Sequence, residues 1–319
     1  MKQEVCVLFE VSAPGSVMLM GEHAVLHNYP AIVAAINRHI KATLMPRSDH
    51  NINICAKNFG ELKLELDLLE SAIQRDDGAK YKKFNYVLTA IQQFQNVIPS
   101  GFDLHISSDF SDQLGLGSSA AVTVATLAVL QKWISGKINL DEIYKLGVKT
   151  IRLVQNNLGS GADIAASVYG GVIVYQTKPF KIEKINVIPE IVLIYTGYKT
   201  PTVEVIKQIN QAAKNASDYF ANLYRIIGDL VLKGIECFKQ QDWQQLGQLF
   251  LAHQDVQRAL GVSDVATEKI LTELKNIPTI YGAKISGAGL GDCIIALGQA
   301  DKNIKAINVR IDKNGINNP

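Results

Sequence analysis

The chain has 319 residues, 47% of them hydrophobic and 19% charged, which is enough apolar material for a sizeable core and far from a disordered composition. Its formal net charge of +2 creates no demand for nucleic acid or an anionic membrane as partner and leaves open a local pocket for a small anion. Cys6, Cys55, Cys237 and Cys293 are widely separated, with no Cys-x-x-Cys pair or clustered histidines for zinc, and this pattern points to reduced thiols in a cytoplasmic protein. No early apolar run has the length of a signal-peptide core, and none approaches the roughly 18 residues of a membrane span.

In chain order, residues 5–11 read as a strand, 12–16 as a turn containing Pro14-Gly15, and 17–20 as a second short strand. An apolar run over 30–36 follows, then strand candidates at 40–45 and 52–56. A polar surface loop is expected over 71–78 and a helix over 86–94. Residues 102–107 alternate as a half-buried strand does. The helix beyond the next glycine loop, 122–134, is apolar almost all round and so reads as buried, with Gly136 as its stop. Another helix is expected over 140–156. In the second half, 191–195 reads as a strand, 204–213 as a helix, and 219–260 as two long helices broken near Gln241-Asp242. Ser263 is the expected N-cap of a helix running to Leu274 before Pro278. Strands are expected at 281–286 and 293–297, around a second glycine turn. A boundary near residue 180 separates a strand-rich half (1–180) from a helix-rich half (181–319), which gives an α+β class and two domains.

The most informative segment is Gly115-Leu116-Gly117-Ser118-Ser119-Ala120-Ala121. Glycines let backbone N–H groups approach a ligand, two hydroxyls follow, and a helix N-terminus then presents partial positive charge, a combination suited to phosphate. It is neither the Walker loop nor the three-glycine dinucleotide pattern, and by itself it reads equally as a turn with an N-cap. Three further segments accompany it: the run from Ser12 through Glu22, His23 and Ala24 to Leu26; Gly159-Ser160-Gly161-Ala162 followed by a lone carboxylate, Asp163; and the turn Gly287-Ala288-Gly289-Leu290-Gly291.

In this order and spacing the four segments resemble the GHMP kinases, the family of galactokinase, homoserine kinase, mevalonate kinase and phosphomevalonate kinase, from Ser12 to Leu297. The resemblance implies an N-terminal α+β domain and a ferredoxin-like C-terminal domain, with ATP and a small-molecule substrate between them. It makes Gly115, Leu116, Gly117, Ser118, Ser119 and Ala120 the ATP-binding loop, with Ser118 or Ser119 giving a hydroxyl to phosphate or Mg²⁺ and Ser119 as the metal ligand. Asp163 becomes the catalytic aspartate that accepts or orients the substrate hydroxyl proton; its plainer reading is a turn-forming Asp. Glu22, His23, Gly287, Ala288 and Gly289 become substrate-side residues, although a histidine after a strand also reads as structural. Thr200 and Thr202 read either as substrate-facing or as the N-cap of the following helix.

Two positions depart from the family. Ser16 stands where a lysine usually follows Ala-Pro-Gly, and Arg152 stands eleven residues before the aspartate, where a metal-binding glutamate is usual. Lys199 and Lys284 are the candidates for the missing positive charge. The Gly-Glu-His-Ala-Val segment is like that of the mevalonate-phosphorylating members, whereas the segments around Asp163 and Gly291-Asp292-Cys293 are closer to the phosphomevalonate-phosphorylating ones. A phosphorylated substrate needs a further basic clamp, and none stands beside these motifs. The expected activity is therefore ATP-dependent phosphorylation of the C5 hydroxyl of mevalonate for isoprenoid synthesis. Phosphomevalonate is the alternative substrate, and a non-catalytic ligand-binding protein of the same fold the alternative class. No nucleic-acid or membrane partner is expected, and a homodimer is left open.

Overall fold

The computed structural model describes residues 7–57, 59–74, 79–301 and 304–318. Its first half is built on β1 (Phe9–Met20), β2 (Ala31–Pro46), β3 (Asn51–Ala56), β4 (Gly60–Glu65), β5 (Phe102–Ser108), β6 (Val172–Gln176) and β7 (Lys181–Ile185). These form one seven-stranded sheet in the order β4-β3-β5-β2-β6-β7, with β1 against β2. Among the described residues only the β3–β5 pair is parallel.

β2 organises this sheet because it is long enough to pair on both edges. β1 runs antiparallel to it along one side; on the other, Ala31 to Ala34 pair with β6 and Ile40 to Pro46 with β5. The apolar run that opens β2 follows from its two buried faces. Ala31, Val33 and Ala35 enter one core, while Ile32, Ala34 and Ile36 enter another, so alternation gives way to a continuous hydrophobic stretch.

The first core is closed by α1 (Leu69–Gln74), α2 (Ala79–Gln92), α3 (Ser118–Ser135), α4 (Leu140–Val154) and α5 (Ala162–Tyr169). α3 is buried almost all round, with Val124, Leu127, Val129 and Leu130 at 0% exposure, and it stops at Gly136, whose φ is 73°. The second half adds a three-stranded antiparallel sheet, ordered β8 (Ile191–Tyr195), β10 (Cys293–Gly298), β9 (Ile280–Ser286). With it come α6 (Thr202–Ala213), α7 (Ser217–Gln240), α8 (Trp243–Ala259) and α9 (Val265–Lys275). The class is α+β.

Several local expectations change. The Pro14-Gly15 turn is absorbed into a continuous β1 as a register shift; β2 is the one named strand that β1 pairs with, its other edge carrying an isolated bridge from Ser12 to Asn317, and such an edge tolerates the missing proline N–H. The segments at 30–36 and 40–45 are one strand. Residues 71–74 are the end of α1 rather than loop, while 75–78 and the start of the 5–11 strand, Val5 and Cys6, lie outside the described residues. β4 and β7, with alternating charged residues, escaped the sequence reading. The cap of α9 is Asp264, which accepts the Thr267 N–H at 2.9 Å, while Ser263 donates to Glu268 instead.

Candidate active site

A cleft opens between the two sheets. Ser16, Met18, Gly115, Gly117 to Ala120, Ser160, Gly161 and Asp163 line one wall, and Lys199, Thr202, Ser286 to Ala288 and Asp292 the other. Glu22 and His23 also line it.

α3 begins at this cleft. Its first intrahelical bond runs from Ala121 N–H to the Gly117 carbonyl at 3.0 Å, so the N–H groups of Ser118, Ser119 and Ala120 face outward from the helix end. Gly117 has a φ of 66°, and a Cβ there would stand 2.0 Å from Ser16 Oγ; only glycine permits both the turn and the approach of β1.

Asp163 sits in the first turn of α5, after Gly161 at φ 92°, and α5 is tied to β1 by Ser167 Oγ donating to the Pro14 carbonyl at 2.6 Å. This brings Asp163 Oδ1 to Ser16 Oγ, which donates to it at 2.7 Å. Burial pushes the Asp163 carboxyl above its ordinary pKa, opposed by the Ser16 hydrogen bond and by the charge of Lys199. Lys199 reaches the cleft from the β8–α6 loop and donates to the Asp112 carbonyl at 3.1 Å.

Glu22 and His23 lie in the turn after β1. Glu22 is 3% exposed and pairs with Lys284 Nζ on β9, itself 0% exposed. Desolvation drives the Glu22 pKa up and the Lys284 pKa down, and their mutual attraction opposes both. His23 has φ 62° and ψ −50°, a sparsely populated backbone state for a non-glycine residue. Its Nε2 lies 2.9 Å from the Ala288 carbonyl, which assigns the proton to Nε2. Burial lowers its pKa to about 4, so it is neutral at pH 7.

The turn after β9 is anchored by Ser286 Oγ donating to the Met18 carbonyl at 2.9 Å. Thr200 is not a helix cap: its hydroxyl donates to the Leu290 carbonyl at 2.5 Å. Pro201 occupies the N-cap of α6 without a side-chain bond, and Thr202 faces the cleft. Arg152 is exposed on α4 and is absent from the cleft lining, to which Ile151 and Gln155 of the same segment contribute. Among the lining residues Lys199 is the sole lysine or arginine.

A second hollow joins the first, sharing Ser118, Ser119, Gln155, Lys199 and Thr202, with Phe59, Tyr86, Val87, Ile106 and Phe110 as its apolar walls and Lys57, Lys82 and Lys83 also lining it. The sequence reading missed this hollow, whose walls come from separate elements; it missed Gln155, and it named Asp292 only within the Gly291-Asp292-Cys293 segment, without a place in the site. Among the described residues no group of three or more His, Cys, Asp or Glu side chains could hold a metal, and no helix is long and apolar enough to cross a membrane.

Residues 85–171 match the GHMP kinase N-terminal domain, and residues 235–317 the GHMP kinase C-terminal domain. A mevalonate kinase of Pyrococcus furiosus is 32% identical over 319 residues, covering 94% of this chain and 92% of its own. One of Saccharolobus solfataricus is 26% identical, covering 97% and 98%. Among solved structures, the Methanococcus jannaschii mevalonate kinase has a TM-score of 0.76 at 22% identity, covering 97% of this chain and 99% of that one, a likeness of fold. The chain belongs to the GHMP kinases.

Proposed function

We propose that this chain is an ATP-dependent kinase that phosphorylates the C5 hydroxyl of mevalonate, a step of isoprenoid synthesis. The observation that carries the chemistry is the meeting, in one cleft, of the outward-facing start of α3 with the Ser16–Asp163 pair. Asp163 takes the proton of the C5 hydroxyl as its oxygen attacks the γ-phosphorus; the bond from that phosphorus to the bridging oxygen breaks, and ADP leaves. Gly115 to Ala120 cradle the phosphates with backbone N–H groups, and the adjoining apolar hollow takes the base. Glu22 and His23 form the substrate wall, with Gly287 and Ala288 closing over it and Gly289, which is outside the cleft lining and packs against Val262, supporting that turn from behind.

The family implies Mg²⁺, and the hydroxyl and carboxylate oxygens facing the phosphate loop are the hard donors it takes, with nucleotide phosphates completing the shell. Ser119 is the hydroxyl we assign to it. When bound, the ion neutralises charge on the transferring phosphoryl group.

The choice of mevalonate over phosphomevalonate rests on the near full-length relatives named mevalonate kinase and on the cleft's cations. Lys199 is shared between Asp163 and Asp292, and Lys284 is committed to Glu22. A second substrate phosphate would therefore find no clamp of its own. The free thiols of Cys55, Cys237 and Cys293 suit a reducing, cytoplasmic setting. The test is ADP release from Mg²⁺-ATP with mevalonate, phosphomevalonate, galactose and homoserine in parallel. Turnover of mevalonate is expected, and turnover of phosphomevalonate alone would overturn the substrate assignment.

A further inference from the structure

One carboxylate in the cleft neither takes the substrate proton nor forms the substrate wall in the reaction described above. Asp292, in the turn between β9 and β10, is 3% exposed, and its Oδ1 has no hydrogen-bond partner among the described residues. That oxygen is turned toward the phosphate loop: a Cβ on Gly115, where φ is +66°, would lie 2.6 Å from it. The carboxylate is held from behind by the Ala288 N–H. A buried carboxylate oxygen without a partner is costly, and a triphosphate arriving at the same loop brings more negative charge beside it. Lys199 attracts both Asp163 and Asp292 and is the sole lysine or arginine lining this cleft, Lys57, Lys82 and Lys83 lining the adjoining hollow instead; its single charge cannot balance two carboxylates and the phosphates that reach them. A hard divalent cation that takes carboxylate and phosphate oxygens together can.

The position where relatives usually carry the metal-binding glutamate is Arg152, exposed on α4 and outside the cleft lining. We propose that Asp292 is this protein's carboxylate ligand for the divalent cation accompanying the nucleotide, its Oδ1 supplying the acidic donor that is absent at Arg152. The proposal rests on the nucleotide-site reading above.

Asp292 has a φ of 63°, a conformation that asparagine and glycine accept, so Asp292→Asn and Asp292→Gly remove the charge and keep the turn. The probe is Mn²⁺, followed by loss of its free electron paramagnetic resonance signal when titrated into the protein–ADP complex, alongside ADP binding in excess EDTA. Both variants are expected to bind ADP in EDTA at least as tightly as wild type, because a repelling charge has gone. Their Mn²⁺ affinity in the ADP complex should fall roughly 10- to 100-fold, and Mg²⁺ should half-saturate turnover at correspondingly higher concentration. A carboxylate that only repels phosphate gives the opposite sign, with tighter binding in EDTA and in Mn²⁺ alike, and that result overturns the proposal. A wild-type chain that shows this Mn²⁺ dependence but leaves mevalonate unphosphorylated overturns the substrate reading and keeps the cation role. One that binds no nucleotide overturns both.

Discussion

Ser16 stands where relatives usually carry lysine, and its hydroxyl donates to Asp163 Oδ1 at 2.7 Å. A neutral donor supports a carboxylate less than an ammonium would, so burial dominates and the Asp163 pKa lies above its ordinary value. As a base Asp163 works only when ionised, so kcat/KM falls as pH drops through the raised pKa. The acid limb of the profile therefore lies above the roughly 3.9 of a free aspartate. Ser16→Ala removes a bond that favours the ionised form: the limb moves further up, and turnover at neutral pH falls by at most roughly 10- to 150-fold, the equivalent of a charge-assisted hydrogen bond of about 1.5–3 kcal/mol. Asp163→Asn is expected to lower kcat by about 10²–10⁴ while calorimetry finds ADP bound as in wild type. Paired pH–rate profiles check the first expectation, and an acid limb unmoved by Ser16→Ala would remove Ser16 from this role. Asp163 was legible in the sequence because a lone acid after a glycine-rich turn is a local pattern. The Glu22–Lys284 pair was not, since its members are 262 residues apart and no spacing rule joins them.

At the scale of elements, that pair fastens the turn after β1 to β9, with His253 of α8 accepting the Gly21 N–H at 3.1 Å and lying 3.4 Å from Glu22. Burial keeps His253 well below its ordinary pKa and hence neutral, so Lys284 carries the compensation. Lys284→Met strands a buried carboxylate and should cost about 3–5 kcal/mol of stability. Glu22→Gln strands the ammonium at a similar cost. The double variant strands neither charge and should lose less than the sum. Urea unfolding at neutral pH closes this cycle, and additive losses would show that the two side chains do not act as a pair. The elements themselves were largely readable where one pattern ran unbroken: α3 and β10 as continuous apolar runs, α7 and α8 as long helical segments. Reading failed where tertiary context overrode a local signal: Pro14-Gly15 is a strong turn signal, yet pairing with β2 along both flanks carries β1 through it. Charged β4 and β7 lie at the two ends of the sheet path and each buries a single residue, Leu62 and Ile185, so their short runs offered too little contrast.

Across the whole molecule, the two halves share a core. Val17, Leu19, Ile32 and Ile36 from the first sheet pack in one cluster with Val231, Phe250, Ile285 and Ile295 from the second half. The C-terminal segment crosses back as well: Ile307 bridges Leu193 in the second sheet, and Ile311 and Asn317 then bridge Ile36 and Ser12 in the first. Halves with separate cores would unfold separately, whereas these cannot part without exposing apolar surface on both. The chain's two tryptophans report on the two sides: Trp133 of α3 stands edge-on to Phe102 at 5.5 Å, and Trp243 of α8 to Phe238 at 5.9 Å. In Trp243→Phe and in Trp133→Phe, the fluorescence of the remaining tryptophan should follow the same urea transition as that variant's own far-ultraviolet circular dichroism. Comparison within each variant cancels whatever stability the substitution itself removes. A fluorescence midpoint displaced from the dichroism midpoint in either variant would mean that the halves melt independently. Because the cleft takes Asp163 from one side and Lys199, Ala288 and Asp292 from the other, Mg²⁺-ADP bound between them should raise both midpoints together rather than one alone.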